Sequence, residues 1–105
     1  MGAEDVRKAQ PLEEHARQLR ALMREDRMSM TFRLEAEDDM ERLELDRPDI
    51  VNILKACAVT NAEWRADRWH LVADARTTEG VPVAVELVVY EEESRVKVKR
   101  VYVVQ

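Results

Sequence analysis

Apolar residues recur along the chain in two rhythms, and the switches between them mark its elements. Leu12, Ala16, Leu19, Leu22 and Met23 follow Pro11 at the i, i+4, i+7 spacing of a helix. Glu13 and Glu14 stand in the opening turn, and Arg17, Arg20 and Arg24 lie mostly elsewhere on the wheel. This predicts a one-sided amphipathic helix beginning at Pro11. Over 28–34 the period shortens to two: Met28, Met30, Phe32 and Leu34 alternate with Ser29, Thr31 and Arg33, the mark of a half-buried strand. Ala36, Met40 and Leu43 restore helical spacing and place the acids of that stretch on a solvated side. Asp46-Arg47-Pro48-Asp49 then reads as a cap and first turn, with Asp46 or Arg47 capping. The buried face behind it is Ile50, Val51, Ile53, Leu54 and Cys57.

Strand signals dominate after Ala58, broken at Ala66-Asp67-Arg68, Thr78-Glu79-Gly80 and Glu91-Glu92-Glu93-Ser94. They predict strands over 58–65, 69–77, 81–90 and 95–104, joined by connections short enough to make neighbours antiparallel. Val81, Val83, Val85, Leu87 and Val89 give the third of these a continuous apolar face and a central place in the sheet. In the last strand Val96 and Val98 share one parity and Val101 and Val103 the other, so a bulge near Lys99 or Arg100 is needed to turn all four to the core. The expected fold class is α+β: an N-terminal helix, a short strand, two short helices, then a C-terminal antiparallel β-meander. It forms a single domain over 11–105 behind a flexible segment, 1–10.

Composition narrows the picture. The 105 residues suit one core, and apolar and charged fractions of 46% and 37% with only two Gly and three Pro fit a globular chain rather than linkers or low-complexity tracts. No apolar run nears the roughly 20 residues that span a bilayer, and the first residues lack the apolar stretch of a secretory signal. The chain is expected to be cytoplasmic and free of membrane contact. Cys57, the single cysteine, forms no internal disulfide and reads as a small buried apolar residue. His15 and His70, the two histidines, are too few for a histidine metal site, and no metal or other cofactor is expected. Net charge is −5, which disfavours general nucleic-acid binding, but the charges are segregated. Eight acids stand against Arg42 and Arg47 over 35–49, whereas 94–105 carries Arg95, Lys97, Lys99 and Arg100 with no acid. A metal or paired-carboxylate site in the acidic run is disfavoured, because helical spacing spreads those acids over an exposed face.

Trp64, Arg65, Arg68, Trp69, His70 and Arg76 fall on two successive strands and their turn. Arg can hold phosphate bidentately, Trp can stack on a base, and His titrates near neutrality. The competing reading makes both tryptophans core residues and the arginines edge-strand charges. His70 alternates with Trp69 and Leu71, so it points outward if they point inward.

The order helix, strand, two helices and meander resembles the MqsR branch of the RelE-like bacterial toxin fold and the small bacterial families near it. The likeness runs over roughly 11–104 and is most specific in Trp69-His70-Leu71-Val72-Ala73-Asp74-Ala75-Arg76-Thr77-Thr78-Glu79-Gly80-Val81. This stretch is similar to the family's Trp, polar site residue, Val, downstream Arg and Gly-containing turn. The segment Leu45 to Leu54 also resembles the family's entry into an Asn- and Ile-rich helix. The resemblance implies metal-independent cleavage of RNA and a cognate antitoxin. His70 stands where the family has a glutamine and Arg76 matches a strand arginine. The sheet tyrosine falls at Val83, and Arg100 or Tyr102 stands nearest the C-terminal lysine. The implied catalytic residues are His70, Arg76 and Arg100, with Arg65, Arg68, Trp69, Lys97, Lys99 and Tyr102 binding substrate. The alternative is a non-catalytic protein-interaction module on the same scaffold, and a homodimer through edge strands is compatible with either.

Overall fold

The computed structural model describes residues 10–104; the expected flexible segment, Gln10 aside, lies outside the described residues. Helix α1 (Leu12–Leu22) is followed by strand β1 (Ser29–Phe32) and helices α2 (Leu34–Leu43) and α3 (Arg47–Leu54). Strands β2 (Ala58–Arg65), β3 (Arg68–Arg76), β4 (Pro82–Tyr90) and β5 (Arg95–Val103) complete the chain, with one 3₁₀ turn at Glu91–Glu93 before the last. The elements are those the hydrophobic rhythm predicts, and the fold is α+β.

The five strands form one sheet in the order β1-β5-β4-β3-β2, with the meander antiparallel and β4 at the centre. β1 pairs with β5 in parallel, Met30 opposite Val96 and Phe32 opposite Val98. The bulge in β5 falls at Lys99: Glu86 opposes Arg100 and Leu87 opposes Val98, leaving Lys99 over. Val96, Val98 and Val101 are thereby all buried, while Val103 is 40% exposed at the strand end. A second bulge sits at Thr60 of β2.

The helices cover one face of this sheet. Leu19 of α1 and Ile50 and Leu54 of α3 pack with Val83, Val85, Leu87, Val96, Val98 and Val101 in one apolar cluster. α3 begins with a capping box, in which Asp46 accepts from Asp49 N–H and Asp49 accepts from Asp46 N–H, satisfying donors that a helix start otherwise leaves open. At its other end α1 supplies partners: Arg20 donates to the Cys57 carbonyl at 2.8 Å and Arg24 to that of Lys55 at 3.4 Å. On the opposite face of β4, Ala84 and Val88 are buried but outside the cluster. Long polar side chains of the neighbouring strands, rather than a helix, border them.

Candidate functional site

The uncovered face of the sheet is ordered into rows by the strand register. One row runs Thr31, Lys97, Val88, His70, Glu63; the next runs Arg100, Glu86, Val72, Asn61; a third runs Tyr102, Ala84, Asp74, Ala58. His70 faces outward because Trp69 and Leu71 are both buried beneath α1, as strand alternation requires.

Around His70 the face dips into a depression of about 240 Å³ lined by Arg33, Ala66, Arg68, Val88, Tyr90, Lys97 and Lys99. Four cations and no carboxylate line it. Arg33 arrives from the chain between β1 and α2, where its N–H is tied to the Val98 carbonyl at 2.9 Å. Arg68 and Arg95 both lie against the Tyr90 ring, 4.2 and 4.0 Å from its centroid, close enough for a cation–π attraction that fixes their guanidinium groups. Lys99 Nζ stands 3.3 Å from His70 Nδ1. An ammonium only donates, so Nδ1 is the acceptor and the neutral ring carries its proton on Nε2. Burial is the main force lowering the His70 pKa, and the positive charges of Arg65 and Lys99 push the same way against smaller opposing pulls from the Arg65 backbone and Glu63. The imidazole is therefore neutral at pH 7, a base set among cations.

The other residues singled out in the sequence lie elsewhere. Arg76 opposes Pro82 at the far end of β3, six residues and roughly 20 Å along the strand from His70, and donates to the Gly80 carbonyl at 2.9 Å. Arg100 is held by Asp39 of α2 through Nε at 2.8 Å and Nη2 at 3.1 Å, so its guanidinium serves the α2–β5 junction. Tyr102 lies two rows from His70. Burial and a hydrogen bond with Glu86 raise its pKa. Arg65 flanks the β2–β3 turn and pairs with Glu63 at 3.0 Å. Trp69, 4% exposed, packs against Trp64 and His15 on the covered face and has no surface for a base to stack on. The expected trio His70, Arg76 and Arg100 does not converge, whereas His70, Arg68, Lys97 and Lys99 do.

Arg33 and Tyr90 join that group although the sequence did not single them out for this site, and Arg95 braces the Tyr90 ring. Arg33 shares the outward parity of Ser29 and Thr31, and that was its only signal; which strand β1 would lie beside was not legible. One acid also departs from expectation. Asp39, placed with the solvated carboxylates, is 1% exposed and accepts from Arg100, Arg42 and the Val101 N–H. Arg100 above all holds its pKa down, at about 2.

Cys57 is buried, and burial pushes its thiol up to about 11, which removes the thiolate a nucleophile needs. Among the described residues no group of three or more His, Cys, Asp and Glu side chains is arranged to hold a metal ion, and no helix is long and apolar enough to cross a membrane. No family model, curated protein or solved structure matches the chain.

Proposed function

We propose that the uncovered sheet face binds single-stranded RNA and that His70 is the general base of a metal-independent cleavage there. The observation that carries this reading is a neutral imidazole, in contact with Lys99 through Nδ1, that lines a depression together with Arg33, Arg68, Lys97 and Lys99. In the reaction Lys99 swings from Nδ1 to the phosphoryl oxygens, the freed Nδ1 takes the proton of a ribose 2′-hydroxyl, and the resulting alkoxide attacks the adjacent phosphorus. The bond to the 5′-oxygen breaks to leave a 2′,3′-cyclic phosphate. Lys97 and Lys99 offset the charge that develops on the phosphoryl oxygens, and the departing 5′-oxygen takes a proton from solvent water, the hydroxide so formed being neutralised by the proton that His70 releases. Arg68, fixed against Tyr90, and Arg33 hold neighbouring phosphates.

The test uses a 5′-labelled single-stranded RNA and its DNA counterpart. Cleavage of the RNA alone to cyclic-phosphate ends is expected, lost by about a hundredfold or more in His70→Ala with RNA affinity kept, whereas Lys97→Ala/Lys99→Ala loses affinity. RNA left intact by folded protein would sink the catalytic part. Unchanged affinity in the lysine variant would sink the binding part as well.

A second reading, a non-catalytic interaction module, has one observation in its favour. Leu34 is 70% exposed at the head of α2, beside the exposed acids Glu35, Glu37, Asp38 and Glu41, a pattern suited to a basic protein partner such as an antitoxin. A homodimer would use the outer side of β2, which has no further strand beside it among the described residues.

A further inference from the structure

On the covered side of the sheet, away from the basic depression, α1 leaves a cavity of about 220 Å³ between its His15, Leu19 and Leu22 and the sheet residues Trp69, Leu71 and Val89. An apolar cavity of about 150 Å³ holds benzene, so this space takes about nine heavy atoms. Its wall includes a polar group with an unmet need: His15 is 2% exposed, and its Nε2 has no hydrogen-bond partner among the described residues. Leaving such a group unpaired costs about 1–3 kcal/mol, so its presence beside an open space calls for an explanation.

Neighbouring side chains settle what that nitrogen offers. The Glu14 carboxylate can only accept, so Gln18 turns its amide nitrogen toward it at 3.4 Å. The Gln18 oxygen then accepts from Gln10 Nε2 at 3.0 Å, and that same nitrogen stands 3.5 Å from His15 Nδ1. A donor at Nδ1 leaves the proton of the neutral ring on Nε2, directed as a donor. Burial keeps the ring neutral, since it lowers the His15 pKa against the opposing pull of Glu91. At the mouth stand Glu25 and Glu91, with Ser94 donating to Glu25 at 3.4 Å.

We propose that this cavity is a binding site for a compact amine whose apolar body ends in an oxygen acceptor. The body packs on Trp69 and the leucines, the oxygen accepts from His15 Nε2–H, and the ammonium remains at the mouth opposite Glu25 and Glu91. The site lies on the other face from His70 and does not depend on the RNA reading.

Calorimetry and ¹H–¹⁵N NMR on the full chain test it with three probes: tyramine, phenethylamine and 4-hydroxyphenylacetate. Tyramine is expected to bind saturably and shift the Trp69 indole signal. Phenethylamine, lacking the oxygen, should bind about fivefold more weakly, and the carboxylate probe more weakly than tyramine. Glu25→Lys/Glu91→Lys changes only exposed side chains and should reverse the preference between tyramine and 4-hydroxyphenylacetate. Absence of saturable tyramine binding at millimolar concentration would overturn the proposal. So would equal affinity for tyramine and phenethylamine, or an unreversed preference in the charge-swapped protein.

Discussion

Asp39 sits beside the edge of β5 just past the end of β1, where its carboxylate takes the Val101 N–H at 2.9 Å in place of a strand neighbour and grips Arg100 with both oxygens. A carboxylate held this way is worth most when ionised. Its pKa is depressed from the ordinary 3.8 to about 2, so its contribution to stability is fully present above 3.8 and is lost as pH falls through about 2. Asp39→Asn keeps the shape but turns an amide N–H toward a guanidinium. It is expected to cost about 2 kcal/mol in urea unfolding at pH 7 and to flatten the stability profile between pH 4 and pH 2. An unchanged midpoint and profile would show that the α2–β5 junction does not depend on the charge. Asp39 was hidden in the sequence by its seven acidic neighbours, although it lies three residues after Ala36 and four before Leu43, on the stripe that turns inward. His70 was legible because alternation with Trp69 and Leu71 decides its side without help from any other strand. The same alternation turns Trp69 inward, which is why it could not also serve as a stacking surface.

The meander was legible as elements because its turns are local. The β2–β3 hairpin closes through Ala66 and Asp67, both at positive φ, 53° and 60°, between the paired residues Arg65 and Arg68. That is the two-residue turn whose twist suits adjoining strands, and it ordinarily draws Asn and Gly. Alanine in the left-handed region costs about 1–2 kcal/mol, so Ala66→Asn is expected to raise stability by about 0.5–1 kcal/mol. Thermal unfolding reads this as a higher Tm, and a lower Tm would mean that the turn is held by something other than its backbone preference. The parity of the valines suggested a bulge near Lys99 or Arg100 but did not decide it; it falls at Lys99 and brings Val96, Val98 and Val101, but not Val103, to the core. The parallel placement of β1 on β5 was not readable. Two helices and three strands separate the partners, and a four-residue strand with one buried face fits any open edge equally well. Arg100 was misplaced relative to His70 for the same reason: which rows face one another depends on register across strands, and periodicity within a strand carries no such information. Arg76 shares β3 with His70, and their separation along an extended strand already puts it out of reach.

At the scale of the whole molecule, the net charge of −5 repels a polyanion while one depression attracts it, and this opposition makes RNA binding measurable in a specific way. Long-range repulsion is screened beyond about 10 Å at 0.1 M salt, so the cations that touch phosphate dominate the salt dependence. Arg33, Arg68, Lys97 and Lys99 line the depression; Arg95 is partly spent on Glu93 at 3.0 Å. Four neutralised phosphates on a single strand give a slope of log K against log salt of about −3, at about −0.7 per contact. Fluorescence anisotropy of a labelled oligouridylate titrated at several salt concentrations measures it. Lys97→Ala/Lys99→Ala should bring the slope to about −1.4, whereas Arg76→Ala, remote from the depression, should leave it unchanged. A slope near zero in the native protein, or an equal fall in the Arg76 variant, would place the phosphates elsewhere. The acidic surface of α2 would then become the side on which to look for a partner, and a basic protein rather than RNA would be the better match to it.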